Sequence, residues 1–137
     1  MSVVKGKRSE SKLEFDNAYY KVYNDAVEAT AHNLYGKGNE VYIIAQSREI
    51  MRLVNLLLFY IRKANSIYPT CQEELNTRRV AMDEAIGVCF ALITQYHLAF
   101  RTLDVKEEKH CEEYRHIYHE INMIKAWRRS DNKVKFC

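Results

Sequence analysis

A single proline, Pro69, and four glycines are all the strong backbone punctuation in this chain of 137 residues. Glycine and proline mark the places where a backbone turns or a helix stops. A chain with so few of them folds into long elements with short connections, which are helices rather than short strands. Pro69 closes the stretch Arg62-Lys63-Ala64-Asn65-Ser66-Ile67-Tyr68-Pro69, between two long segments of helical periodicity. It disfavours a helical conformation at Tyr68 and cannot continue the hydrogen-bond ladder, so the central turn belongs there. The length suits one domain with one core. With 47% hydrophobic and 28% charged residues, that domain is globular rather than disordered.

Four helices follow from the apolar spacing. Residues 1–10 are polar and basic and read as a loose arm. Ser11 with Glu14 forms a capping box that opens the first helix. Phe15, Ala18, Tyr19, Val22, Ala26, Ala29 and Leu34 form its apolar face, and Gly36 and Gly38 end it near Tyr35. Asn39 caps the second helix, whose stripe holds Ile43, Ile44, Ser47, Ile50, Met51, Val54, Leu57, Leu58, Ile61 and Ala64. Thr70 with Glu73 makes another capping box, opening a third helix with the stripe Leu75, Arg79, Met82, Ile86, Cys89, Ile93, Tyr96, Phe100 and Leu103. Gly87 inside it reads as a close helix–helix approach. Asp104 caps the fourth helix, with Glu107 three residues on, and its stripe is His110, Tyr114, Ile117, Ile121, Ile124 and Arg128. Residues 131–137 form a basic tail. Short connections between long helices imply an all-α, up-down-up-down antiparallel four-helix bundle spanning 1–137.

Charge is distributed unevenly. Residues 1–12 hold Lys5, Lys7, Arg8 and Lys12 against Glu10, a balance of +3, and residues 125–137 hold Lys125, Arg128, Arg129, Lys133 and Lys135 against Asp131, a balance of +4. With a net charge of +3, residues 13–124 carry −4. The up-down topology gathers both basic ends with Arg62, Lys63, Arg78 and Arg79 at one pole, diluted by Glu73, Glu74 and Glu84. Lys and Arg bind phosphates by charge and counterion release, and arginine adds bidentate geometry. Tyr68 and Trp127 lie near the same pole and could stack on bases. The competing reading is a solvated basic surface that keeps the protein soluble. Arg79, a charge on an apolar stripe, either pairs with a carboxylate such as Glu10, Glu14 or Glu120 or faces a groove between subunits.

Other chemistry is weakly signalled. Glu107-x-x-His110 and Glu113-x-x-His116 have the spacing of di-iron bundle ligands, but both lie on one helix, and helices 2 and 3 offer no matching inward pair. No metal or cofactor is expected. There is no nucleophile elbow, glycine-rich phosphate loop or HExxH pair, so the chain is read as non-enzymatic. Cys71, Cys89, Cys111 and Cys137 lack CxxC spacing and read as reduced thiols, with Cys89 in the core. Leu53 to Ile61 is too short to span a bilayer, and the N-terminus has no signal-peptide run, so a cytoplasmic location is expected. Tyr20, Tyr23, Tyr42, Phe59, Tyr60, Phe90 and Tyr118 lie off the main stripes, as either an interface or the margin of a broad core.

Lys63-Ala64-Asn65-Ser66-Ile67-Tyr68-Pro69, Arg78-Arg79 and Ile124-Lys125-Ala126-Trp127-Arg128-Arg129-Ser130-Asp131 resemble segments of small bacterial four-helix bundle proteins. That family is related to proteins encoded in ribosomal RNA intervening sequences. It includes Avd, the accessory variability determinant of diversity-generating retroelements. The opening Met1 to Ser11 resembles variants found in mobile elements and phages. The resemblance implies a homopentameric barrel with a basic surface that binds RNA or DNA and the retroelement's reverse transcriptase, supporting mutagenic cDNA synthesis without catalysing it. The residues at positions compatible with such a surface are Arg62, Lys63, Arg78, Arg79, Lys125, Arg128 and Arg129, and Lys133 in the basic tail extends the set. The alternative is an interaction or scaffold module of a phage or mobile element with no nucleic-acid role.

Overall fold

The computed structural model describes residues 5–36, 38–134 and 136, with side chains from residue 17 onward. Four long helices account for most of it: α1 (Lys5–Glu28), α2 (Glu40–Ser66), α3 (Gln72–Thr102) and α4 (Cys111–Asp131). No strand occurs among the described residues. The helices pack in a ring, α1 on α2, α2 on α3, α3 on α4 and α4 on α1, with the α2–α3 contact the most extensive. Side chains fix how they meet. Gln46 near the start of α2 bonds Gln95 late in α3, while Arg78 early in α3 donates to the carbonyl of Ile67 just after α2. Arg128 late in α4 bonds Asp83 early in α3, and His116 early in α4 meets Asp25 late in α1.

The expected stripes supply the core. Val22, Ala26, Ala29 and Leu34 from α1 and the turn after it meet Ile50, Val54, Leu57 and Ala64 from α2, all at or near zero exposure. Met82, Cys89, Leu92, Tyr96 and Phe100 of α3 and Ile117, Ile121 and Ile124 of α4 complete it. Each fully buried large aliphatic side chain contributes roughly 1.5–3 kcal/mol. The five-residue step from Ala29 to Leu34 has a structural cause. Ala29–Asn33 is a π-helical turn, and the Leu34 amide donates to the Ala29 carbonyl at 3.0 Å. The extra residue brings Leu34, rather than Asn33, onto the core face. Ile44 was expected in the α2 stripe but is about half exposed, and Leu53, absent from that stripe, is buried.

The helix ends depart from expectation more than the faces do. α1 starts at Lys5, so Ser11 and Glu14 lie inside the helix rather than at its cap, and residues 5–10 are helical rather than a loose arm. Residues 1–4 lie outside the described residues. Asn39 does cap α2, accepting from the Tyr42 amide at 3.1 Å. At α3 the cap position is Cys71, without a side-chain bond to the backbone, and Thr70 bonds Glu74 instead of forming a box with Glu73. Asp104 does not cap α4. It adopts a left-handed φ of 53°, and a 3₁₀ turn, Glu107–His110, intervenes before α4 begins at Cys111. Gly36 ends the first helical segment with φ +73°, a region that glycine enters without steric cost. The close approach expected at Gly87 is absent among the described residues, since a Cβ there would meet none of their atoms within 4 Å. It occurs at Gly38, where a Cβ would lie 2.9 Å from Leu103 Cδ2.

Candidate nucleic-acid interface

The basic residues of the α2–α3 turn and of the α4 end divide into two groups. The first is structural. Arg78 is 16% exposed and forms an ion pair with Asp131 at 3.0 Å. It also donates to the Ile67 carbonyl at 3.2 Å, and its guanidinium carbon sits 4.9 Å from the centre of the Trp127 ring. One side chain thus joins the α2–α3 turn to the end of α4 through an ion pair, a hydrogen bond and a cation–π contact. Arg128 is held by Asp83 at 2.7 and 3.3 Å, a two-point contact across α3 and α4. Arg79 is half-buried, and its Nε is enclosed without a hydrogen-bond partner among the described residues. Its charge nevertheless acts on Asp131.

Asp131 is therefore a hub that the sequence reading counted only as one charge in a tail. It belongs to α4 and is 5% exposed. Burial pushes its carboxyl pKa up, while Arg78 and then Arg79 pull it down. A signal for it exists in the sequence: Ile117, Ile121, Ile124, Arg128 and Asp131 continue one three-and-four stripe, and Arg79 breaks the α3 stripe at the same pole. Two charges on facing apolar stripes are placed to meet. Among the described ion pairs none joins Arg79 to Glu120, and the alternatives Glu10 and Glu14 have side chains outside the described residues. Trp127 is packed against the core and under Arg78 rather than standing out as a stacking platform, whereas Tyr68 is 81% exposed.

The second group is free to meet a ligand. Arg62 and Lys63 at the end of α2, Lys125 and Arg129 one turn apart on α4, and Lys133 beyond it are all exposed. None of the five has an ion pair among the described residues. Arg62 lies close enough to Tyr19 of α1 to act on its hydroxyl. Lys125 and Arg129 share one face of α4, and no hydrogen bond or ring contact among the described residues joins them to Lys63 or Lys133. Lys5, Lys7, Arg8 and Lys12, also expected at this pole, have side chains outside the described residues.

The remaining titratable groups form local pairs. His97 bonds Glu107 at 3.2 Å, His110 bonds Glu113 at 3.2 Å and His116 meets Asp25 at 2.5 Å. Neither Glu-x-x-His motif converges on a common point, and among the described residues no three His, Cys, Asp or Glu side chains are placed to hold a metal. Cys89 is buried, and Cys71 and Cys111 are exposed free thiols. Of the seven off-stripe aromatics, Tyr23, Tyr42 and Tyr60 pack against the core, and Tyr20, Phe59, Phe90 and Tyr118 are exposed.

In the sequence Glu120 stands out only as a possible partner for Arg79. It is wholly buried, and neither carboxyl oxygen has a hydrogen-bond partner among the described residues. Burial raises its pKa from the usual 4.5 to about 8. No described helix is long and apolar enough to cross a membrane. Compared with protein-family models, curated proteins and solved structures, the chain matches none.

Proposed function

We propose that this protein is an up-down-up-down antiparallel four-helix bundle that acts without catalysis as a nucleic-acid-binding accessory factor. The observation that carries the reading is the set of five exposed bases, Arg62, Lys63, Lys125, Arg129 and Lys133, which have no carboxylate partner among the described residues. Lysine and arginine without intramolecular partners keep their full charge for phosphates and release counterions on contact. Exposed Tyr68, in the turn that follows Arg62 and Lys63, offers a face on which a base can stack. The resemblance of the turn and of the α4 end to Avd-like proteins supplies the biological setting: an oligomeric partner of a retroelement reverse transcriptase during mutagenic cDNA synthesis.

Binding to single-stranded RNA and DNA, measured by fluorescence anisotropy over a salt series, tests the reading. For single strands the slope of log K against log salt approaches about −0.7 per phosphate neutralised, so five contacts give roughly −3.5. The double substitution Lys125→Glu with Arg129→Glu makes the slope shallower and weakens binding at every salt concentration. Arg128→Glu is expected to act through stability instead, because Arg128 is engaged with Asp83. Absence of binding at low salt, or binding indifferent to the double substitution, overturns the proposal. Co-purification with a reverse transcriptase encoded beside the gene tests the polymerase partner separately.

A further inference from the structure

The solvent face of α3 beyond the basic turn is uncharged for most of its length. Between Glu84 and Arg101 its exposed positions are Gly87, Phe90, Ala91, Thr94 and Leu98. Phe90 is 44% exposed and Leu98 52%. The Thr94 hydroxyl donates to the Phe90 carbonyl at 3.1 Å, which spends its polarity inside the helix and leaves its methyl group available on this face. At 1.5 Å per residue the face is about 26 Å long. An exposed helix face of this kind covers a partner rather than water.

Gly87 sharpens the point. Glycine inside a helix costs about 1 kcal/mol relative to alanine. Nothing among the described residues accounts for it, since a side chain there would meet none of their atoms within 4 Å. A glycine with no neighbour of its own chain to accommodate is suited to accommodating one from another chain.

The charges at the two ends of the face select the occupant. Glu84 is exposed and has no ion pair among the described residues, and Arg101 is 81% exposed with only a loose 3.9 Å approach to Glu107. An antiparallel copy of α3, in register about the midpoint of this stretch, sets Glu84 against the second copy's Arg101 at both ends. The same register seats Leu98 over the second copy's Gly87, and Ala91 against its Thr94, each twice by symmetry. In this register large meets small at Leu98 and Gly87, Phe90 faces Gln95, and acid meets base at Glu84 and Arg101, each twice, as a self-complementary two-fold contact requires.

We propose that α3 pairs antiparallel with α3 of a second copy across the Gly87–Leu98 face, closed at each end by Glu84 and Arg101. The pairing uses residues beyond the Arg78–Arg79 turn and stands whether or not the basic pole binds nucleic acid. A two-fold contact closes at two copies. It gives a dimer, or an even-numbered assembly where other faces also join, and not a lone five-membered ring.

Sedimentation equilibrium across the micromolar range tests it on the full chain. Wild type is expected to dimerise. Gly87→Arg is expected to abolish dimerisation while leaving the far-ultraviolet circular dichroism and thermal transition of a folded helical protein, because the new side chain enters open space within the chain. Leu98→Glu, at another exposed position, is the second variant if Gly87→Arg disturbs folding. Charge reversal is the sharper test. Glu84→Arg or Arg101→Glu alone weakens dimerisation on the order of tenfold, and the two together restore it. A monomer throughout the concentration range overturns the proposal, as does an oligomer unaffected by folded Gly87→Arg or Leu98→Glu. Failure of the two charge reversals to compensate for each other overturns the register.

Discussion

Glu120 makes a measurable demand on the stability of this bundle. In the folded state its carboxyl group is wholly buried, has no hydrogen-bond partner among the described residues, and is pushed up by burial from 4.5 to about 8. Burial disfavours the charged form, so the folded protein holds a proton that the unfolded chain has released. Stability from this site is complete below 4.5 and declines as the pH rises towards 8. Within that window the slope is about 1.4 kcal/mol per pH unit, and the full loss is on the order of 5 kcal/mol. A domain of ordinary stability, about 5–15 kcal/mol, would register that loss clearly. Glu120→Gln keeps the shape and removes the titration. Urea unfolding of wild type and variant at several values between about pH 5 and pH 8 isolates the site, because the histidine pairs contribute equally to both proteins. Wild type should lose about 1 kcal/mol more per pH unit than the variant, with melting temperatures diverging by about 3–5 °C per unit. Absolute stability at low pH is not the readout, since a buried glutamine carries its own unpaired amide. Parallel pH dependences in the two proteins would refute the reasoning, because they would mean that Glu120 is already charged and compensated in the native state.

Two further substitutions examine the packing of the ends. Asp131→Asn removes the counter-charge from Arg78 and Arg79 and is expected to cost about 3 kcal/mol in urea unfolding, as removing one member of a buried pair does; the loss should be much smaller in an Arg78→Met background. Gly38→Ala forces the buried Leu103 away from a 2.9 Å contact and should lower stability by about 1 kcal/mol. Leu103→Val in the same chain relieves part of that loss, visible as a smaller difference in melting temperature between the alanine and glycine forms.

The helix faces were legible because burial imposes a period, and the stripes ending at Leu34, Ala64, Leu103 and Ile124 are the core. The ends were harder to read. Ser11, Thr70 and Asp104 are each chemically able to cap, yet α1 extends back to Lys5, Glu74 takes Thr70, and Asp104 bends the chain before a 3₁₀ turn. Capping energies of about 1 kcal/mol are easily overridden by packing. At the candidate site, residue type marked where basic side chains lie along the chain but not which of them are engaged. Arg78 and Arg128 are engaged by Asp131 and Asp83, partners 53 and 45 residues away, and no local pattern announces pairs of that separation. Glu120 was hidden for a related reason: a glutamate between Ile117 and Ile124 looks like the polar side of a helix until its neighbours close around it.

The clasp between Arg78 and Asp131 also bears on the order in which the protein matures on the ribosome. α1, α2 and α3 all emerge before α4, and α2 and α3 can pair as soon as they are made, since their contact is the most extensive in the fold. Until residue 131 follows, that nascent hairpin holds Arg78 and Arg79 beside an apolar surface with no acid from α4 to balance them. A chain halted before α4 therefore displays the apolar seam that Ile117, Ile121 and Ile124 cover, together with two arginines that lack Asp131, and exposed apolar surface of that kind is what chaperones and proteases act on.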